Sequence, residues 1–135
     1  MNYKIIDIEG VGEAYAAKLK AAGIDTVAGL LEKCAAPAGR KALAEATGIS
    51  PKLILTWTNH ADLFRIDGVG PQFAELLEAS GVDTVKELRN RRADNLAAKL
   101  QEVNDSRHLV RRVPSEKEVA AMIEQAAALP PVVTY

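Results

Sequence analysis

A chain of 135 residues that is 48% hydrophobic but 4% aromatic must build its interior from aliphatic side chains and alanine, which favours closely packed helices over a ring-filled sandwich. It has no run approaching the roughly 20 uncharged apolar residues that span a bilayer, and "MNYKIIDIEG" reaches acidic residues before any apolar stretch of signal length, so a cytoplasmic chain is expected. The net charge of -1 lacks the basic excess of an autonomous DNA binder, and the single cysteine, Cys34, excludes an internal disulfide or a multi-cysteine zinc site.

The β-favouring material lies at the two ends, in "NYKII" and "PPVVTY". The ends could pair with each other; a tail packed across the surface is the expected arrangement. The first helix starts behind Gly12, with Glu13 at the positive helix end, and carries Tyr15, Ala16 and Leu19 on one face before stopping at Gly23. Asp25-Thr26 restarts the chain as helix without a capping box, because Gly29 stands where the box needs a glutamate. Two helices follow. One runs through "GRKALAEAT" to Gly48; the other is capped by Ser50, opens with Pro51 and sends Leu53, Ile54 and Trp57 to the core.

The next helix opens behind Gly70 with Pro71, places Phe73, Ala74 and Leu77 on one face, and stops at Gly81. Thr84 and Glu87 then form a capping-box pattern, so this restart is expected to be the better specified of the two. "NLAAKLQEV" forms a helix after Asp94. A final helix, "EKEVAAMIEQAAAL", is boxed by Ser115 and Glu118 and offers Val119, Met122 and Ile123 to the core.

Residues 8–30 and 66–88, at an offset of 58, agree at 12 of 23 positions, and the agreements are turn glycines and interior apolar residues. The chain therefore contains a duplication. Each copy begins with apolar, any, Gly, apolar, Gly before an amphipathic helix: Ile8-Glu9-Gly10-Val11-Gly12 and Ile66-Asp67-Gly68-Val69-Gly70. This pattern resembles the helix-hairpin-helix motif. The resemblance implies exposed hairpin amides and a helix start that bind a nucleic-acid phosphate without reading bases, with carbonyls able to hold a monovalent cation. Two hairpins imply a grip on both strands across a minor groove.

With "GRKALAEATGIS", "LVRRVPSEKEVAAMIEQA" and "LPPVVTY" added, nearly the whole chain resembles the bacterial family catalogued as domain of unknown function 4332. That resemblance implies paired helix-hairpin-helix units related to the small helical domain at the C-terminus of the RNA polymerase alpha subunit. It implies no activity. The expected fold is all-α, with two pseudo-repeated helix-hairpin-helix units of about four short helices each packed as one compact body. The units are residues 1–64 and 65–129, and an extended tail covers 130–135.

Charge ranks the two hairpins. Glu9 and Glu13 flank Gly10, Val11 and Gly12, close to where a phosphate would sit, so the first hairpin is the weaker candidate. Binders in this class often place a lysine or arginine just after the second glycine; here Glu13-Ala14 and Pro71-Gln72 stand there. The candidate nucleic-acid-binding set is Arg65, Gly68, Val69, Gly70 and Gln72 with Arg89, Arg91, Arg92, Arg111 and Arg112. Arg107 belongs to the same basic stretch. Residues 86–117 hold 9 Lys/Arg against 5 Asp/Glu, whereas residues 1–85 hold 8 against 11, so a polyanion meets the later segment first. The competing reading makes Gly-Val-Gly a plain turn between helices with its valine in the core, and pairs the arginines with Glu87, Asp94 and Glu116.

"ALAEATGISPKLILTW" also has helix-turn-helix spacing, with Ala44 and Gly48 at the turn, but Ser50, Pro51, Lys52, Leu55 and Thr56 supply no arginine, asparagine or glutamine fork for base edges. Exposure of Leu55 would suit a protein partner instead. His60 and His108 lack further ligands at metal spacing and are expected to be exposed or partner-bonded; no metal, cofactor, small-molecule substrate or catalytic residue is assigned, and no enzyme motif is present. The expected function is a non-catalytic module that binds duplex nucleic acid weakly through its backbone. The alternative is a protein-interaction adaptor or structural domain. No membrane is expected as a partner.

Overall fold

Glycine and proline punctuation sets the helix boundaries in the computed structural model, which describes residues 3–135. A 3-10 turn at Ile5–Asp7 precedes eight α-helices: α1 (Glu13–Ala21), α2 (Val27–Cys34), α3 (Pro37–Thr47), α4 (Pro51–Leu63), α5 (Pro71–Ala79), α6 (Val85–Leu88), α7 (Ala93–Arg107) and α8 (Glu116–Ala128). The described residues thus form an all-helical protein whose extended pairing is a single bridge, Lys4 to Thr26. They divide into two compact units: one ends at Asp62 and takes back Val132–Tyr135, and the other is Leu63–Pro131.

In the first unit, Gly10 turns the chain at φ +90°, and extended Gly12 caps α1 without a side-chain hydrogen bond. Ile8 and Val11 point inward, and Trp57 packs beneath the turn: a β-carbon on Gly10 would lie 3.7 Å from its Nε1. Tyr15 meets the Trp57 ring edge-on at 5.1 Å between centroids. Leu19, Ile24, Leu30 and Ile54 fill the interior around them. The short extended segment after Asn2 pairs with the loop before α2, through Ile5 N–H to Asp25 C=O and Val27 N–H to Tyr3 C=O, and not with the C-terminal tail.

Among this unit's glycines, Gly39 at the join between α2 and α3 meets the backbone most closely. A β-carbon on Gly39 would fall 1.8 Å from the Lys33 carbonyl oxygen. The next residue, buried Arg40, donates from Nη1 to the Cys34 and Ala35 carbonyls at 2.9 Å each, placing a cation on the negative end of α2. Its Nη2 donates to the Thr134 carbonyl at 2.6 Å, and its guanidinium lies 5.8 Å from the Tyr135 ring centre. Thr134 N–H returns a bond to Ala35 C=O, and Tyr135 Oη reaches Asn59 Oδ1. Arg40, Ala35 and Asn59 together attach the tail to the first unit.

In the second unit, Gly68 turns the chain at φ +89° and Gly70, again extended and without a capping side chain, precedes Pro71 at the start of α5. Here the residue beneath the turn is Met122, whose Cε would stand 3.6 Å from a β-carbon on Gly68. Phe73, Ala74, Leu76 and Leu77 of α5 join Leu96, Leu100 and Val119 inside. Both restarts are capped by a threonine hydroxyl. Thr26 accepts the Gly29 N–H at 3.0 Å and caps eight-residue α2, whereas Thr84 accepts the Glu87 N–H at 3.3 Å and caps four-residue α6. A capping hydroxyl needs a backbone donor at the third helical position, and glycine supplies one.

Candidate nucleic-acid interface

The second hairpin leaves its glycines accessible while anchoring its apolar residues. Ile66 and Val69 are buried; Asp67, Gly68 and Gln72 are exposed, and Gly70 is half-buried. The Asp67 N–H donates to Gln125 Oε1 at 2.8 Å, which ties the turn to α8. Beyond it, α5 starts with no side-chain cap on Gly70 and no N–H on Pro71, so the amides of Gln72 and Phe73 head the helix where partial positive charge gathers.

A second segment comes to the same place. Helix α7 ends on His108, held at φ +51°, and Asn104 in its last turn grips Val110 at both backbone atoms: Nδ2 donates to the carbonyl at 3.0 Å and Oδ1 accepts the N–H at 2.9 Å. The loop so fixed lays Leu109, Val110 and Arg111 beside Gly70, Gln72 and Phe73, enclosing an open recess of about 450 Å³. Arg111 is exposed and makes no ion pair among the described residues. The arrangement places one free guanidinium and one uncapped helix start on a single concavity.

The other arginines are held elsewhere. Arg112 donates through both terminal nitrogens to Glu118 at 2.7 Å each, Arg92 pairs with Asp94 at 2.9 Å, and Arg107 approaches Glu75 at 3.7 Å. Arg65 Nη2 donates to the Pro130 carbonyl at 2.6 Å. Arg91 lies beside Gly81, where a β-carbon would sit 3.6 Å from its Nη1, and Arg89 is half-buried at the end of α6. Arg111, Gly70 and Gln72 are thus brought together, while Arg89, Arg91, Arg92 and Arg112 contribute charge from other positions. Asn104, Leu109 and Val110 carry the geometry without having been named from the sequence. A polar residue one turn ahead of a non-glycine left-handed cap is the local feature that marks Asn104.

The Arg112–Glu118 pair gives a pH test. The Arg112 guanidinium, with the Ser115 N–H adding to it, holds the Glu118 carboxyl well below the ordinary glutamate range, at about 2. A depressed carboxylate stabilises the fold above its unfolded pKa and loses that contribution as pH falls through its folded value. Glu118→Gln is therefore expected to lower the melting temperature at neutral pH, and the gap from wild type should close as the solution approaches about pH 2. Thermal scans at both pH values check it.

The first hairpin offers less. Gly10 and Gly12 are exposed and Val11 is buried, but Glu13 is exposed in the first turn of α1 and Glu9 is half-buried beside the glycines. At the helix-turn-helix spacing, Ser50 Oγ accepts the Lys52 N–H at 3.2 Å, and Leu55 is half-buried. Cys34 is fully buried, and burial pushes its thiol up, away from the reactive thiolate. His60 is buried and His108 exposed; no group of three His, Cys, Asp or Glu residues able to hold a metal occurs among the described residues. No helix among them is long and apolar enough to cross a membrane.

These features define an all-helical protein with two glycine-turned helix starts, one of them facing an unpaired arginine. The family model described as "Domain of unknown function (DUF4332)" matches residues 9–129, and the chain belongs to that family. No curated protein and no solved structure matches it.

Proposed function

We propose that this chain is a cytoplasmic, non-catalytic module of two pseudo-repeated helix-hairpin-helix units that binds duplex nucleic acid through its phosphate backbone, weakly and without sequence preference. The observation that carries the reading is the meeting of half-buried Gly70, uncapped α5 and free Arg111 around one recess. Backbone amides at a helix start accept an anion through fixed donors, and a guanidinium adds a charge-assisted bond. Neither reads a base. The matched backbone of the two turns, with left-handed Gly10 and Gly68 followed by extended Gly12 and Gly70, supports the paired-hairpin reading. The carboxylates of Glu9 and Glu13 make the first hairpin the minor contributor. Arg65, Arg89, Arg91, Arg92 and Arg112 act through the local field, since several already hold other partners.

Fluorescence anisotropy with a labelled generic duplex tests this. Binding should fall as salt rises, with a shallow slope equivalent to about one to three phosphates. Arg111→Glu should weaken binding about tenfold, and Arg112→Glu, which removes a paired cation, should do so by about threefold or less. Absence of association at low salt, or equal losses from the two substitutions, would remove the proposal.

A further inference from the structure

A different recess lies in the first unit, between the starts of α3 and α4. It measures about 360 Å³ and is lined by Pro37, Arg40, Lys41, Pro51, Lys52 and Leu55. Its apolar lining is half-buried Leu55 with exposed Pro37 and Pro51, and exposed Lys41 and Lys52 line it beside them. Those lysines make no ion pair among the described residues, and no carboxylate lines the recess, although residues 1–85 carry more acidic than basic side chains. One wall is rigid, because Arg40 is fixed on the Cys34, Ala35 and Thr134 carbonyls.

We infer that this recess docks an acidic protein segment bearing an apolar anchor side chain. The anchor covers Leu55 and the proline rings and releases water from them, while flanking carboxylates meet Lys41 and Lys52. A preorganised wall lowers the cost of binding. Nucleic acid fits this place poorly. Ser50 Oγ already accepts the Lys52 N–H, and no aromatic ring lines the recess for a base to stack on. The inference stands apart from the second hairpin and does not depend on it.

The test is an amide NMR titration of the full chain with three probes: the peptide Glu-Asp-Leu-Phe-Asp-Glu, its Ser-Ser counterpart lacking the apolar pair, and a generic duplex DNA. The Leu-Phe peptide should shift Lys41, Lys52 and Leu55 with a Kd of about 0.1–1 mM. Lys41→Glu with Lys52→Glu, both at exposed positions outside the core, should raise that Kd about fivefold or more. Leu55→Ser, with helicity checked by circular dichroism, should weaken it as well. No shift at these residues, an equal response to the Ser-Ser peptide, or occupation of the same residues by DNA overturns the inference.

Discussion

Gly39→Ala is expected to destabilise the protein by about 3 kcal/mol or more, opposite in sign to the gain of about 1 kcal/mol that helix propensity alone assigns to alanine at an interior helical position. The added methyl would lie 1.8 Å from the Lys33 carbonyl oxygen and 3.0 Å from its carbonyl carbon. Both are backbone atoms, so no side chain can swing away. Relief requires the start of α3 to withdraw from the end of α2, which stretches the Arg40 bonds to Cys34 and Ala35. The tail bond to Thr134 shares that guanidinium and should loosen too. Urea unfolding reads the effect as a lower midpoint at unchanged slope. Gly12→Ala is the control: nothing lies within 4 Å of its added carbon and its φ is -84°, so a loss below about 1 kcal/mol is expected. Equal stability of Gly39→Ala and wild type would disprove the close approach.

Trp57→Ala should cost about 3–5 kcal/mol, the range for emptying a large buried aromatic site. The ring is 1% exposed, takes the edge of Tyr15 at 5.1 Å and supports the turn at Gly10 from below. Few other rings are available to refill the space, since aromatics are 4% of the chain. Trp57→Phe should recover part of the loss. Because the chain has a single tryptophan, the variants must be followed by circular dichroism rather than indole emission. A loss under about 1 kcal/mol would mean that the ring is not the support of this turn.

Helix starts and stops were legible because they depend on local chemistry. Proline at 51 and 71, the Ser115–Glu118 box, and left-handed glycines at 23, 48 and 81 need no knowledge of what packs nearby. Helix α3 began earlier than read, at Pro37, because proline at a first helical position is as good a start there as at Pro51. The arginines were harder to read. Composition marks residues 86–117 as basic, but only three-dimensional placement separates Arg112, clasped by Glu118, from its neighbour Arg111, which faces α5. Nothing local in the sequence distinguishes Arg40, which is buried against three carbonyls. Asn104 acts through a residue six positions away across a left-handed cap, a relation that helical periodicity does not encode.

The most direct test follows the amide resonances of Gly68, Gly70, Gln72 and Phe73 while duplex DNA is added at low salt. The account predicts that these four move together, with the Arg111 signal, and that sodium chloride reverses the change. Shifts confined to other residues, or none at any DNA concentration, would contradict a phosphate seat at the start of α5.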